Sequence, residues 1–224
     1  MVINPHLKKL FKNSYLSPWG DKRRIRVGLL GGSFNPAHEG HKQIAQQALK
    51  SLQLDQVWLL VSPGNPLKSA RMMAPFAQRL ATAQSIADGK HIIATDIEFR
   101  LKERFTWRTV LKLKKLYPNI RFVWLMGSDG FAQFSQWKRW QYLAKIIPIA
   151  IFPRPNTIMP ALRGKASSAM RRHRRVARQA ATILNEKIMP CWSFLSTAQN
   201  PISSTYIRES GQFNPHHNRS KKDH

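Results

Sequence analysis

Apolar and polar positions along this chain alternate between short apolar runs and longer stretches with helical spacing. The apolar runs are rich in branched and aromatic side chains, which is typical of buried strands. They occupy residues 25–30, 56–61, 91–95, 120–126, 147–152 and 192–195. Between them apolar side chains recur every three or four positions, which predicts amphipathic helices. These stretches run from near Pro36 to Leu52 and then cover Pro75–Asp88, Thr106–Leu116, Phe131–Lys145 and Ser167–Ile188.

Strands that alternate with helices are typical of α/β domains, because right-handed crossovers stack the helices onto a parallel sheet. We therefore predict a Rossmann-like doubly wound parallel sheet with helices on both faces, folded as a single domain. No internal repeat and no Gly- or Ser-rich linker divides the chain. We expect the domain at residues 25–210, between a basic N-terminal extension at 1–24 and a basic C-terminal tail at 211–224.

Charge adds a feature that the fold pattern does not explain. The 224 residues carry 37 Lys and Arg against 11 acidic side chains, a formal net charge of +26. The densest basic block, Arg171–Arg178, lies inside a predicted helix, and such clusters attract polyanions without regard to sequence. Because no zinc-finger, RNP or basic-zipper pattern accompanies it, we expect a solvated basic face with non-specific nucleic-acid contact at most. A basic nucleic-acid-binding protein remains the alternative from another functional class.

Cysteine content and hydropathy bear on the compartment. The single Cys191 excludes an internal disulfide framework and fits a reducing compartment. No apolar stretch approaches the roughly 20 residues that span a bilayer, and Met1–Trp19 lacks the apolar block of a secretory signal. We expect a cytoplasmic protein without a membrane partner; its oligomeric state leaves no signal in the sequence.

A candidate phosphate site follows the first predicted strand. Residues 31–41 read GGSFNPAHEGH and join that strand to the first predicted helix. Gly31 and Gly32 carry no side chain that would keep a polyphosphate away from main-chain N–H groups, and glycine tolerates a tight strand-to-helix turn. The pattern predicts a nucleotide phosphate site at this junction.

Two histidines lie where that helix is expected to open. Pro36 suits a first helical turn, and Ser33 or Asn35 is the expected N-cap. His38 and His41 would then project from one face of the turn, where unpaired N–H groups and the helix dipole favour an anion. A metal half-site and a pair of solvated histidines are the alternatives, but the combination of glycine turn, proline and histidine spacing favours phosphate binding.

Several segments resemble one known family. Residues 31–41 resemble the HxGH signature of the nucleotidylyltransferase superfamily, and residues 202–208, ISSTYIR, resemble the ISSTxIR signature that accompanies it. Gly127–Trp137 is similar to the GxD…F..W segment of bacterial nicotinate-nucleotide adenylyltransferases, and residues 96–98 followed by Thr106 are similar to another segment of that family. The resemblance covers residues 25–210.

The resemblance implies a reaction and its site. Bacterial nicotinate-nucleotide adenylyltransferases transfer the adenylyl group of ATP to nicotinate mononucleotide, giving nicotinate adenine dinucleotide (deamido-NAD) and pyrophosphate in NAD biosynthesis. His38, His41 and Arg208 would be catalytic, Mg²⁺ would accompany ATP, and no metal-ligating residue or tightly bound organic cofactor is expected. The residues implied for ATP binding are Gly31, Gly32, Ser33, Phe34, Asn35, His38, His41, Gly127, Asp129, Ser203, Ser204, Thr205 and Arg208.

The acceptor side of the implied site departs from the family at two positions. Lys68, Thr106 and Trp137 match the residues for nicotinate mononucleotide, but Leu67 and Phe105 stand where the family often has histidine and tyrosine. The resemblance leaves open a sister enzyme that acts on nicotinamide mononucleotide or phosphopantetheine. Core packing of Trp137 and a helix cap at Asp129 are the structural alternatives to their ligand roles.

Overall fold

A parallel sheet forms the centre of the protein. The computed structural model describes residues 16, 20, 22–64, 73–186 and 188–213. Within them the strands are β1 Arg26–Gly32, β2 Gln56–Val61, β3 Ile92–Thr95, β4 Arg121–Gly127, β5 Ile149–Phe152, β6 Arg174–Arg175 and β7 Trp192–Phe194. They lie in the order β3-β2-β1-β4-β5-β7-β6 and every neighbouring pair is parallel. The order reverses between β1 and β4, so the predicted doubly wound parallel sheet is confirmed.

Helices connect these strands. In chain order they are α1 Glu39–Ser51, α2 Phe76–Ile86, α3 Ile97–Arg100, α4 Thr106–Leu116, α5 Ser128–Ala132, α6 Trp140–Ile146, α7 Ile158–Arg163, α8 Lys165–Ala169 and α9 Ser204–Glu209. Three 3₁₀ segments, Phe134–Gln136, Arg171–His173 and Ala177–Asn185, complete the described part of the chain. The predictions Pro75–Asp88 and Thr106–Leu116 match α2 and α4.

Both faces of the sheet are buried. Leu29 and Trp124 pack into one apolar cluster, while their chain neighbours Leu30 and Leu125 pack into a second. Successive residues of a strand point to opposite faces, so the two clusters lie on the two sides of the sheet. Central parallel strands covered in this way read as continuous apolar runs, which is why the sequence revealed them.

The prediction of one helix over Phe131–Lys145 is wrong. The chain forms α5, then the 3₁₀ turn Phe134–Gln136, and reaches α6 through Arg139 at φ +54°. Phe131, Phe134, Trp137 and Trp140 recur every third residue, a spacing that a 3₁₀ turn aligns and an α-helix rotates away. Phe134 contacts Phe131, Trp137 and Trp140 at ring-centroid distances of 6.0, 5.4 and 5.7 Å.

The prediction of one helix over Ser167–Ile188 is also wrong. It breaks into α8, two 3₁₀ segments and the short edge strand β6, which the sequence did not reveal. Like charges three and four positions apart in Arg171–Arg178 disfavour a helix. The Arg174 guanidinium lies 5.4 Å from the Trp192 ring centroid, and Arg175 Nε lies 3.0 Å from a Glu186 carboxylate oxygen. The sheet edge therefore offers partners that a helix would not.

No helix among the described residues is long and apolar enough to cross a membrane.

Gly31 is required by close packing at the end of β1. A Cβ on Gly31 would lie 2.4 Å from Cη2 of Trp124, whose ring is 2% exposed. A Cβ at this distance from the buried ring can be accommodated only if the ring or the backbone shifts. The absent side chain, which the sequence suggested would admit a phosphate, therefore admits an aromatic ring.

We expect Gly31→Ala to lower the free energy of unfolding by about 1–3 kcal/mol, because it overpacks a filled core. Urea unfolding measures the change. Gly64→Ala is the matched control, since a Cβ there meets no heavy atom within 4 Å in the part of the chain that the structure describes. The double variant Gly31→Ala/Trp124→Leu should lose less free energy of unfolding than the sum of the losses in the two single variants. A Gly31→Ala protein as stable as the Gly64→Ala protein would contradict this account of the packing.

Candidate active site

The glycine turn lies at the carboxyl end of β1, beside the crevice where open α/β sheets bind ligands. Helix α1 begins after it at Glu39, and His38 is its N-cap. The His38 ring accepts a hydrogen bond at Nδ1 from the Gly40 N–H at 3.1 Å, while Nδ1 of His41 accepts from the His38 N–H at 3.3 Å. The two histidine side chains thus form a capping box at the N-terminus of α1.

The predicted helix start near Pro36 and the predicted caps Ser33 and Asn35 are wrong. Asn35 Oδ1 is engaged elsewhere, accepting from the Ala74 N–H at 3.0 Å. The Ser33 hydroxyl is buried and has no hydrogen-bond partner in the described chain. Because His38 takes over the capping, the turn extends farther from the strand before the helix begins.

The caps fix the protons of the two imidazoles. A backbone N–H can only donate, so Nδ1 of each ring is an acceptor and the proton of a neutral ring sits on Nε2. Burial, with a smaller effect of the Arg154 charge, lowers the pKa of His38 to about 4. His38 is therefore neutral at pH 7. The two ring centroids lie 3.9 Å apart, so the turn carries two neighbouring Nε2–H donors whenever His41 is also neutral.

The ISSTYIR segment docks on the same turn. Ser204 Oγ donates to the Pro36 carbonyl at 2.9 Å, and Nη1 of Arg208 donates to the Asn35 carbonyl at 2.6 Å. Nη2 of Arg208 donates to Thr205 Oγ1 at 3.2 Å, and its Nε is buried without a hydrogen-bond partner in the described residues. Segments far apart in the chain are thereby brought together.

Ser203 has a local role in this segment. It is the N-cap of α9, and its hydroxyl accepts from the Tyr206 N–H at 3.2 Å. The structure thus places all four predicted residues of the segment, Ser203, Ser204, Thr205 and Arg208, at or near the glycine turn. Two of them, Ser204 and Arg208, contact the turn directly.

Gly127 and Asp129 lie at the carboxyl end of β4, next to β1. A Cβ on Gly127 would lie 2.3 Å from Asp129 Oδ1 and 2.7 Å from Arg154 Cδ, so both side chains would have to move to admit another residue. Asp129 Oδ2 lies 3.8 Å from Nε of Arg154, whose Nη2 donates to the Ile202 carbonyl at 2.8 Å. Helix α5 has no side-chain cap, so Asp129 is not the helix cap that was its alternative. Its carboxylate is half exposed.

A cavity of about 250 Å³ opens beside the turn. It joins the predicted phosphate turn to the predicted acceptor residues Thr106 and Trp137, which lie on α4 and after the 3₁₀ turn that follows α5. Its lining residues are Gly31, Gly32, Ser33, Ser62, Gly64, Glu98, Arg104, Phe105, Thr106, Trp124, Gln136, Trp137 and Lys138. Trp137 is partly buried and also packs on the core, so packing and cavity lining are combined in one side chain.

Other predicted residues lie outside this cavity. His38, His41, Arg208 and Asp129 are not among its lining residues. Arg208 contacts the glycine turn, part of which lines the cavity, through the Asn35 carbonyl. Lys68, like Leu67, lies outside the described residues. Among the described residues, no group of three or more His, Cys, Asp and Glu side chains has an arrangement that could hold a metal ion.

Sequence reasoning missed the charged groups of the cavity. Arg104 and Lys138 line it, and each directly adjoins a residue, Phe105 or Trp137, that the resemblance had singled out. Glu98 lies in the segment that resembles the family, but nothing in the sequence showed that it faces the cavity. Burial raises the pKa of Glu98 to about 7, and its Oε1 accepts from Thr109 Oγ1 at 3.0 Å.

Comparison with known proteins shows the family of the chain. A family model described as cytidylyltransferase-like matches residues 29–210, most of the chain. A protein of Gluconobacter oxydans is 59% identical over 191 residues, which are 85% of this chain and 97% of that protein. The chain belongs to this nucleotidyltransferase family. The Gluconobacter relative and one from Gluconacetobacter diazotrophicus, 48% identical over 88% of this chain and 91% of that protein, are both named "Probable nicotinate-nucleotide adenylyltransferase".

Solved structures of similar fold extend the comparison to remote nucleotidyltransferases. The Plasmodium falciparum nicotinic acid mononucleotide adenylyltransferase in complex with NaAD superimposes with a TM-score of 0.61. It is 18% identical, and the match covers 83% of each chain. The same enzyme in complex with APC gives a TM-score of 0.59 at 17% identity. At such identities the likeness shows the fold alone.

Glu98 gives this nucleotidyltransferase a testable pH dependence. Its folded-state pKa of about 7 is above the ordinary value of 4.5, so the fold favours the protonated carboxyl. The contribution of the Glu98 carboxyl to the free energy of unfolding is fully present below pH 4.5 and is lost as the pH rises through 7. Glu98→Gln keeps an acceptor for Thr109 and should remove this loss, worth on the order of 2 kcal/mol at pH 9. Urea unfolding at pH 5 and pH 9 measures it.

The exposed Glu209 supplies the control for that measurement. Glu209→Gln should change the free energy of unfolding little, and by the same amount at both pH values, because the Glu209 side chain is exposed. An unchanged pH dependence in the Glu98→Gln protein would show that Glu98 does not cause it.

Proposed function

We propose that the protein transfers the adenylyl group of ATP to nicotinate mononucleotide, giving nicotinate adenine dinucleotide and pyrophosphate in NAD biosynthesis. The names of the relatives and their coverage support the assignment. The observation that carries it is the docking of ISSTYIR on the glycine turn, because Arg208 and the two imidazoles then approach a triphosphate from one turn.

The chemistry requires charge stabilisation more than proton transfer. A phosphate oxygen of nicotinate mononucleotide forms a bond to the α-phosphorus of ATP, and the bond from that phosphorus to its bridging oxygen breaks. Pyrophosphate leaves with the electron pair. Because the attacking phosphate is already ionised at neutral pH, no general base is required. We assign charge stabilisation to the Nε2–H groups of His38 and His41 and to the guanidinium of Arg208.

ATP binding falls to groups around the turn. We assign the triphosphate to the turn from Gly31 to Asn35 and to the hydroxyl-bearing start of α9. Asp129, whose carboxylate is half exposed beside Arg154, would accept from the ribose hydroxyls. Mg²⁺ would enter as the MgATP substrate, since the described residues offer no cluster of their own for a metal.

The cavity is assigned to the pyridine nucleotide. Trp137 offers a flat apolar surface to the pyridine ring, and the start of α4 at Thr106 would face the pyridine carboxylate. Lys68 keeps its proposed role as a phosphate ligand on the strength of the resemblance alone. Arg104 and Lys138, which line the cavity, would add positive charge for an anionic acceptor.

We assign the reaction to residues 25–210 and place the protein in the cytoplasm. Its cysteine, Cys191, is buried as a free thiol, which suits a reducing compartment. The basic segments 1–24 and 211–224 fall outside the assigned catalytic part.

An acceptor panel tests the reaction. Pyrophosphate release with MgATP should require an acceptor and should be at least tenfold more efficient in kcat/KM with nicotinate mononucleotide than with nicotinamide mononucleotide or phosphopantetheine, because a cationic cavity favours the extra carboxylate. Coupled pyrophosphate detection measures the rates. Preference for another acceptor would support a sister enzyme, whereas no release with any acceptor would reject adenylyl transfer.

Substitution of His38 separates its capping role from its proposed catalytic role. Asparagine is a good N-cap but has no Nε2–H, so His38→Asn should stay within about 0.5 kcal/mol of wild-type stability, while His38→Ala should lose about 1 kcal/mol. Both variants should lose about a hundredfold or more in kcat, the typical cost of an absent transition-state donor. Thermal unfolding and steady-state kinetics on the same samples measure the two effects. Wild-type kcat in the His38→Asn protein would exclude the catalytic role.

A further inference from the structure

Arg79 is a buried cation that the proposed chemistry has not yet used. It lies in the first turn of α2 and is 1% exposed. Burial lowers the pKa of its guanidinium to about 10, so it still carries its charge at pH 7. Among the described residues no carboxylate forms an ion pair with it. A charge that is buried without an ion-pair partner must be stabilised by hydrogen bonds.

Four main-chain carbonyls supply those hydrogen bonds. Nη1 donates to the carbonyls of Ser33 at 2.7 Å and Ser62 at 2.8 Å. Nη2 donates to the carbonyl of Pro63 at 3.3 Å, and Nε donates to the carbonyl of Ala74 at 3.0 Å. The planar guanidinium fork matches this arrangement, and the single ammonium of a lysine would not.

The carbonyls belong to two loops that flank the cavity. Ser33 follows β1, while Ser62 and Pro63 follow β2, the neighbouring strand; Ser33, Ser62 and Gly64 all line the cavity. The Ser62 N–H donates to the Gly32 carbonyl at 3.0 Å, and the Arg79 side chain adds the next links between the glycine turn and the facing loop. The sheet fixes where the strands end, but no strand pairing extends as far as these carbonyls.

The same contacts orient main-chain donors. In a planar trans peptide the N–H points away from the C=O. When the carbonyls of Ser33 and Pro63 point at the guanidinium, the N–H groups of Phe34 and Gly64 are directed away from it. A Cβ on Gly64 would meet no heavy atom of the described residues within 4 Å. The buried charge also adds a positive field next to a site for anions.

We propose that Arg79 is a positioning residue for adenylyl transfer: by drawing the carbonyls of Ser33, Ser62 and Pro63 onto one guanidinium, it fixes the spacing of the two loops and turns their N–H groups towards the substrate phosphates. The proposal rests on the proposed function for its substrates, and on the hydrogen bonds of Arg79 for its geometry.

Kinetics of Arg79→Lys and Arg79→Met test the proposal against Leu80→Ala. Leu80 is a buried neighbour on the same helix that donates nothing to the loops, so its variant matches a general loss of stability. At a temperature where all proteins are folded, kcat/KM with MgATP and nicotinate mononucleotide should fall about a hundredfold in Arg79→Met, because misplaced donors cost transition-state binding. Arg79→Lys, which keeps the charge without the fork, should fall about tenfold, and Leu80→Ala should match wild type.

Amide hydrogen exchange provides a readout that is independent of activity. The Ser62 amide, which donates to the Gly32 carbonyl at 3.0 Å beside the Arg79 contacts, should exchange at least tenfold faster in Arg79→Lys than in Leu80→Ala, without any substrate present. Faster exchange together with an inactive wild-type protein would reject the proposed function but keep the role of Arg79 in the loops. Wild-type kcat/KM in a folded Arg79→Met protein, or exchange no faster than in Leu80→Ala, would overturn the proposal.

Discussion

Side chains from distant parts of the chain hold the carbonyl groups of the turn between β1 and α1, and the rest of the site depends on these contacts. Arg79 holds the carbonyl of Ser33, Arg208 that of Asn35 and Ser204 that of Pro36. A turn of this length has no secondary-structure partners for its carbonyls, and unpaired polar groups are costly to bury. Once the carbonyls are engaged, the geometry of the turn and the direction of its N–H groups are fixed before a substrate arrives.

The charge balance around the turn follows the same logic. Arg79 and Arg208 reach it from two different helices, and neither forms an ion pair with a carboxylate among the described residues. Arg154 helps to keep His38 neutral, so the imidazole contributes a donor without adding a further charge to a crowded region. Because Arg79 and Arg208 have no carboxylate partner among the described ion pairs, the site favours a ligand with anionic oxygens. The large positive charge of the whole chain adds a long-range attraction for the same ligands.

Much of this arrangement was predictable from the sequence. The sheet was recognisable because continuous apolar runs such as 56–61 belong to strands buried on both faces, and the glycine turn was recognisable from its composition. The breaks near Arg139 and Arg174 were not, because they depend on aromatic contacts with residues distant in the chain, such as Trp192. Glu98 and Arg79 escaped notice for a related reason: burial and partners, which only tertiary structure supplies, determine what an isolated Glu or Arg does.

Among the described residues, the cavity and the histidine cluster share the turn that follows β1. Walls of the cavity come from α4 and from the aromatic segment after β4, whereas the imidazoles and Arg208 belong to α1 and α9. Under the proposed assignment of the cavity to the acceptor, substitutions in α4 or in the aromatic segment would alter the preferred acceptor without replacing any residue of the histidine cluster. New acceptor specificities could therefore arise, in evolution or in laboratory selection, through changes in α4 and the aromatic segment that leave His38, His41 and Arg208 in place.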